Sequence, residues 1–157
     1  MEKVSKTILD AVLENYKPEC KYLIEDSVDY PKMKGNFNIP CTFYAKNYNS
    51  EHFNAIETIF CYNQLAYTGF AEFIFKGLIS GLEKISLDKF REHQLTKMLI
   101  LKMDEIKFRK LIDPKEFEGV ITLDRVINRN NLIFFKTSYD FENGEATGKV
   151  DLALLKK

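Results

Sequence analysis

Four polar residues stand close together in an otherwise apolar part of the chain: His52, Asn54, Glu57 and Asn63. Their types suit chemistry at a carbonyl, where an oxygen turns anionic and a proton has to be moved. Free amides at a helix N-terminus carry partial positive charge and stabilise such an oxygen when they point at it. Asn54 is placed to fix those amides, because Asn54 followed three residues later by Glu57 has the form of a capping box. Asn54 is therefore either a cap alone or a cap that also shapes an oxyanion site. Glu57 is either the reciprocal half of the box or a base acting on water. His52 could serve as a general base near neutral pH, or simply bond within its loop. Asn63 lies in the apolar run Ile59–Ala66. Its amide must find partners there, through a structural bond to a covering sheet or through a water or substrate. Gln64 points about 100° away from Asn63 on a helix and reads as an interface or surface residue.

The rest of the composition narrows the class. Lysine plus arginine (23) balances aspartate plus glutamate (23), so no global field draws nucleic acid or an anionic membrane. Three cysteines, Cys20, Cys41 and Cys61, form no closely spaced pair, and His52 and His93 lie far apart. Neither a disulfide framework nor a metal site is expected, and no cofactor motif is present. Cys61 sits in an apolar run without a neighbouring histidine, where a thiol is inert core. The opening Met1–Lys6 has no apolar h-region, and Phe70–Leu82 holds Glu72 and Lys76 and is too short to span a bilayer. A cytoplasmic protein is expected. With 13 Phe and 8 Tyr but no Trp, the aromatics suit a thick core or a tunnel for a long apolar ligand. Phe60, Tyr67 and Phe70 are the candidates for a channel beside the helix.

The elements that must position these groups follow from periodicity. Val4, Ile8, Leu9, Val12 and Leu13 recur at helical spacing, with Pro18 closing the stretch. Short strands are expected from Cys20 to Tyr44, including Tyr22–Ile24 and Cys41–Tyr44, broken by Pro31, Gly35 and Pro40. The main helix is expected from Asn54 to about Leu82, mostly buried, with Gly69, Gly77 and Gly81 each able to end or kink it. Strands then follow over Met98–Phe108, Val120–Ile127, Leu132–Phe141 and Glu145–Leu155. Asn128–Asn131 is a turn, and Asn143-Gly144 is a strong hairpin signal. In the last strand Ala146, Gly148, Val150, Leu152 and Leu154 alternate with polar residues, so one face is packed. The expectation is a single α+β domain over 1–157, an antiparallel sheet wrapped around one long central helix with an additional N-terminal helix.

Two passages carry a family resemblance. Phe108–Gly119 resembles the strand-to-turn element of the hot-dog superfamily, with Lys115-Glu116 where glycine-aspartate is common and Lys110 where proline is common. The block His52-Phe53-Asn54-Ala55, continuing into Cys61-Tyr62-Asn63-Gln64-Leu65-Ala66-Tyr67, resembles the FcoT-type long-chain fatty acyl-CoA thioesterase family. Glu19–Leu23 is similar to that family's opening. The resemblance implies a hot-dog fold and a site built from two asparagines and from tyrosines of the preceding strands. Asn54 and Asn63 match the asparagines by context and spacing. Tyr44 and Tyr22 are the nearest tyrosine matches as donors to a carbonyl, with Tyr48, Tyr30 and Tyr16 as competitors. Arg109 and Lys110 would meet the phosphates of coenzyme A or of a carrier-protein pantetheine.

Three activities are compatible with that resemblance. Hydrolysis of medium- or long-chain acyl-CoA or acyl-carrier-protein thioesters comes first. The second is a lyase reaction, known from similar proteins of isonitrile lipopeptide biosynthesis. There glycine adds to the β-carbon of an α,β-unsaturated acyl-carrier-protein thioester. The third is a non-catalytic acyl-binding subunit. A homo-oligomer built on a dimer is expected, because a curled sheet leaves an edge to cover.

Overall fold

The computed structural model describes residues 1–47 and 49–156. A two-residue strand β1 (Glu2–Lys3) leads into α1 (Lys6–Leu13), whose N-cap Ser5 accepts the Ile8 amide through its hydroxyl. The helix buries Ile8, Val12 and Leu13, and Pro18 opens a 3-10 turn to Cys20. Strands β2 (Leu23–Asp29) and β3 (Lys32–Phe37) follow as an antiparallel pair. The expected strand at Cys41–Tyr44 does not form. Side chains there replace a ladder partner: Asn49 Oδ1 accepts the Thr42 amide at 2.9 Å, and Thr42 Oγ1 accepts that of Ser50 at 2.6 Å. With local partners available, the backbone has no need of a neighbouring strand.

The central helix α2 spans Ala55–Phe75 and stops short of Leu82. Gly77 ends it. This residue has φ of 70°, its amide donates to the Ile74 carbonyl (3.0 Å), and the Leu78 amide reaches that of Phe73 (2.8 Å). That pair of bonds is a Schellman cap, which needs a left-handed residue at this position. Gly69 stays inside the helix because a β-carbon there would run into Met33 on β3. Sheet and helix therefore approach closely at that point.

A helix absent from the sequence expectation, α3 (Leu87–Thr96), comes next. Only Phe90 and Gln94 of it are buried, which leaves too thin an apolar stripe to stand out in a polar segment. The remaining strands are β4 (Met98–Phe108), β5 (Phe117–Arg129), β6 (Leu132–Phe141) and β7 (Ala146–Leu155). They form one antiparallel seven-stranded sheet with β1 and β4 at its edges, in the order β1-β2-β3-β5-β6-β7-β4. Strands β5, β6 and β7 make the expected meander. Strand β4 pairs with β7 instead of its sequence neighbour β5.

Register shifts in β2, β4 and β5 mark bulges, which increase twist and let the sheet curl around α2. The helix is tied to the sheet by a buried bond between Tyr62 Oη and Thr137 Oγ1 (2.6 Å), the latter donating to the Val150 carbonyl (2.9 Å). Phe70 packs on Phe135 with ring centres 4.7 Å apart. One core cluster joins α1, α2 and the sheet. This is the hot-dog arrangement.

Candidate functional site

The N-terminus of α2 is closed by the capping box expected from Asn54 and Glu57. Asn54 Oδ1 accepts the amides of Ile56 (2.9 Å) and Glu57 (3.4 Å), and Glu57 Oε2 accepts the amide of Asn54 (3.1 Å). Thr58 adds its hydroxyl to the Asn54 carbonyl at 2.8 Å. The cap thus occupies two of the first helical amides. The exposed Ala55 amide has no acceptor among the described residues.

Tyr44, delivered by the irregular loop rather than by a strand, completes the arrangement. Its hydroxyl donates to Glu57 Oε1 (3.2 Å) and accepts the side-chain amide of Asn54. A hydrogen-bonded chain therefore runs from Asn54 through Tyr44 to Glu57. Two of its members differ sharply in exposure. The Glu57 side chain belongs to a residue with no solvent-accessible surface, whereas Tyr44 is 41% exposed. Burial raises the Glu57 carboxyl above the usual carboxylate range, opposed by the Asn54 amide, the Tyr44 hydroxyl and the nearby His52. Burial likewise raises the Tyr44 phenol, partly offset by the Asn54 bond. A buried carboxyl with a raised pKa, hydrogen-bonded to a phenol at the surface, is an arrangement that can relay a proton. His52 is exposed; its backbone is held by Ser50, and its imidazole has no hydrogen-bond partner among the described residues.

Asn63 is half-buried further along the helix, and its Oδ1 is buried without a partner among the described residues. Ile56, Ile59, Phe60 and Asn63 share one helical face. Ile56 (45%) and Ile59 (39%) are exposed. Phe60 is an aromatic hub, with ring centres 5.2 Å from Phe43, 5.9 Å from Tyr22 and 6.4 Å from Tyr16. Tyr67 and Phe70, on the same face, lie in the core.

Tyr22 is fully buried and its hydroxyl has no partner among the described residues; burial pushes its phenol well up. Tyr22 is held in place by Gln64. Far from a surface residue, Gln64 is completely buried. Its Oε1 accepts the amides of Tyr22 (2.9 Å) and Leu23 (3.0 Å), and its Nε2 donates to the Cys20 carbonyl (2.7 Å). Helical angle alone does not separate a wet face from a buried one when the sheet wraps most of the helix. The signal that could have found Gln64 is its mixed donor and acceptor amide, suited to the unpaired start of β2.

Arg109 and Lys110 lie apart from the relay. Arg109 Nη1 donates to the Gly144 carbonyl (2.9 Å) and to Thr147 (3.0 Å), and Lys110 pairs with Glu145 (3.3 Å). Both are thereby tied to the β6–β7 hairpin. The segment following them does border the site, since the Ile112 carbonyl accepts the Phe53 amide at 3.0 Å. Together with Asn49, Ser50 and Glu51, residues 111–115 line an open cleft of about 740 Å³. Of the competing tyrosines, Tyr30 sits on Phe73 (5.1 Å between ring centres) and Tyr16 on Phe60, away from the relay. Tyr48 lies outside the described residues.

A curled sheet around one helix, with a polar cluster at the helix start and an apolar face beside it, defines a hot-dog protein. The family model described as FcoT-like thioesterase domain matches residues 11–154, and the chain belongs to that family. A Mycobacterium bovis protein named (2E)-enoyl-ACP glycyltransferase is 34% identical over 166 residues, covering 97% of this chain and 87% of its own length. A protein of the same name from Streptomyces coeruleorubidus is 28% identical, with 96% of each chain covered. A Pseudomonas aeruginosa thioesterase superposes with a TM-score of 0.57 at 8% identity, over 96% of this chain and 94% of its own. At that identity the likeness is one of fold. Among the described residues no helix is long and apolar enough to cross a membrane.

Proposed function

We propose that this protein adds glycine across the double bond of an α,β-unsaturated acyl thioester carried on an acyl carrier protein. Hydrolysis, which the sequence placed first, becomes the second reading. The observation that carries the proposal is the match, over almost the whole chain, to proteins named for that addition. The site's chemistry supports it. In the addition, the glycine amine forms a bond to the β-carbon and the π electrons move onto the thioester oxygen as an enolate. The α-carbon then gains a proton and the nitrogen loses one. The carbon–sulfur bond is never broken, so no water has to be activated.

Each group has a part. When Glu57 is protonated, its hydroxyl can donate to Tyr44 Oη, which releases the Tyr44 proton to face the thioester oxygen. The Ala55 amide at the helix start adds a second donor to the same oxygen. His52, unengaged through its imidazole, takes the ammonium proton. Asn63 Oδ1, an acceptor without a donor among the described residues, receives an N–H of the incoming amine. The acyl chain lies along Ile56, Ile59 and Phe60 and ends where Tyr67 and Phe70 close into the core. Tyr22 forms the back wall through Phe60, and Arg109 and Lys110 stay at the carrier side as attraction for phosphate.

This geometry also favours a homodimer. Strand β4 is an edge with Leu99, Leu101, Ile106 and Phe108 exposed. An apolar open edge of that length is a pairing surface. The end of that edge, Phe108, has its ring centre 6.4 Å from that of Phe53 just before α2, so a second copy there would reach the bare part of the helix as well.

The deciding experiment incubates the purified protein with a 2-enoyl-acyl carrier protein and glycine, and follows the carrier by mass spectrometry. Gain of one glycine on an intact thioester is expected. Release of free carrier with no adduct would replace addition by hydrolysis.

A further inference from the structure

At the opposite end of α2 a cavity of about 290 Å³ opens between the helix terminus, α3 and the start of β4. Its inner wall is apolar, formed by Ile74, Ile85, Phe90, Met98 and Leu154. Phe90, Met98 and Leu154 are buried, so the inner wall belongs to the packed core. The mouth carries a different chemistry. Lys89 and His93 stand one turn apart on α3, Lys156 follows β7, and all three line the opening, with Glu83 as its one carboxylate. Among the described residues, neither Lys89 nor His93 has a side-chain partner, and Lys156 bonds only to the neutral amide of Asn128. Lys97, one turn beyond His93, adds to the positive potential there, and Glu92 opposes it.

An apolar chamber beneath two lysines without salt-bridge partners among the described residues matches a ligand with an alkyl body and an anionic head. We propose that this cavity binds the free carboxylate form of a medium-chain alkyl acid, chain inward and head group at Lys89 and Lys156. Its size is at the low end of ligand cavities, which run from about 300 to 1,000 Å³, so a long chain does not fit. The site is separate from the relay. With a rise of about 1.5 Å per residue, Ile74 lies about 30 Å along the helix from Asn54. The inference does not depend on which thioester reaction the relay performs.

The test is a titration of the ¹⁵N-labelled full chain with sodium octanoate at neutral pH, with octanol and acetate in parallel. Saturable binding below about 1 mM is expected, with amide shifts concentrated in 82–98 and 154–156. Octanol should bind about tenfold more weakly and acetate not at all, since each supplies half of the recognition. Ile85→Trp should fill the chamber and abolish binding. Should that variant fail to fold, the exposed Lys89→Glu decides, with a loss of about tenfold or more expected. Octanoate that does not saturate, octanol of equal affinity, shifts centred on Asn54 and Phe60, or an unaffected Lys89→Glu variant would each overturn the proposal.

Discussion

Along α2 the residues Ile56, Phe60, Asn63, Tyr67 and Phe70 follow one stripe, but its two halves meet different fates. The C-terminal half is sealed by the chain's own sheet, with Phe70 fully buried against Phe135. The N-terminal half is left bare at Ile56 and Ile59, and the relay of Asn54, Tyr44 and Glu57 opens beside it. A second contrast accompanies the first. Each half faces a buried carboxyl raised above its usual range. Glu57 at the bare end has a partner on each oxygen. Asp26 on β2 faces the sealed half and has none among the described residues; the neighbouring Thr68 hydroxyl donates to the Leu65 carbonyl (3.1 Å). A raised carboxyl with placed partners can pass a proton on; one without partners is only a burden on the fold.

The largest expected effect tests the bare end. Tyr44→Phe removes the only exposed hydroxyl of the relay while leaving the ring, and should lower turnover by about 10²–10⁴, the span of general acid–base contributions. Because Tyr44 is 41% exposed, the melting temperature should change little. Its loss also withdraws a hydrogen bond that holds the Glu57 carboxyl down, so the residual activity should titrate at higher pH. Full activity with an unshifted pH profile would end the relay.

Asn63→Leu comes next. As the acceptor for the incoming amine, Asn63 should be missed by about 10²–10³ in rate. The fold should be as stable or firmer, because a buried acceptor without a partner costs about 1–3 kcal/mol. Retained turnover would return Asn63 to a packing role.

Asp26 tests the sealed half. Burial first, then the nearby Glu72, raises its carboxyl from 3.8 to about 6, with the adjacent Thr68 hydroxyl and Lys3 opposing. The folded state therefore favours the protonated acid. This contribution is complete below the unfolded value and is lost as pH rises through about 6. A shift of that size corresponds to about 3 kcal/mol. Thermal stability of the native chain should fall between about pH 4 and pH 6. Asp26→Asn should remove that fall and gain up to the same amount at neutral pH. Parallel stability curves for the two proteins across this range would show that Asp26 is not held as described.

Much of the site was legible because capping is a local code. Asn54 and Glu57 three residues apart specify a helix start whatever surrounds them, and both reciprocal bonds are present. The alternation of β7 and the Asn143-Gly144 turn are local in the same way. What stayed hidden depends on distant partners. Nothing in Met98–Phe108 says that it pairs with β7 rather than β5. Gln64 is recognisable only once β2 is known to begin beside it. Tyr44 reaches Glu57 from a loop whose shape is set by Thr42 and Asn49 side chains, where the β-prone letters of Cys41–Tyr44 suggested a strand. Which of three glycines stops α2 was decided by the Phe73 and Ile74 carbonyls that Gly77 and Leu78 cap.

The smallest effect on the isolated chain bears on why half of the stripe is bare. Phe70→Ala should destabilise by about 3–5 kcal/mol, since it opens a cavity in the core. Ile59→Ala, on the same stripe but 39% exposed, should stay within about 0.5 kcal/mol, as surface substitutions do. An exposed isoleucine beside Ile56 and Phe43 still places apolar area in water, which a soluble chain ordinarily covers. The proposed second copy, paired through β4, would supply that cover. Ile59→Asp should then leave the fold of each chain intact while placing an unpaired charge inside the dimer contact. Light scattering at micromolar concentration should give the dimer mass for the native protein and a shift toward the monomer for Ile59→Asp. If the native protein is already a monodisperse monomer, no partner covers the stripe in solution. The bare half would then have to be covered by the substrate chain alone, and Ile59→Asp should change acyl-chain preference instead of mass.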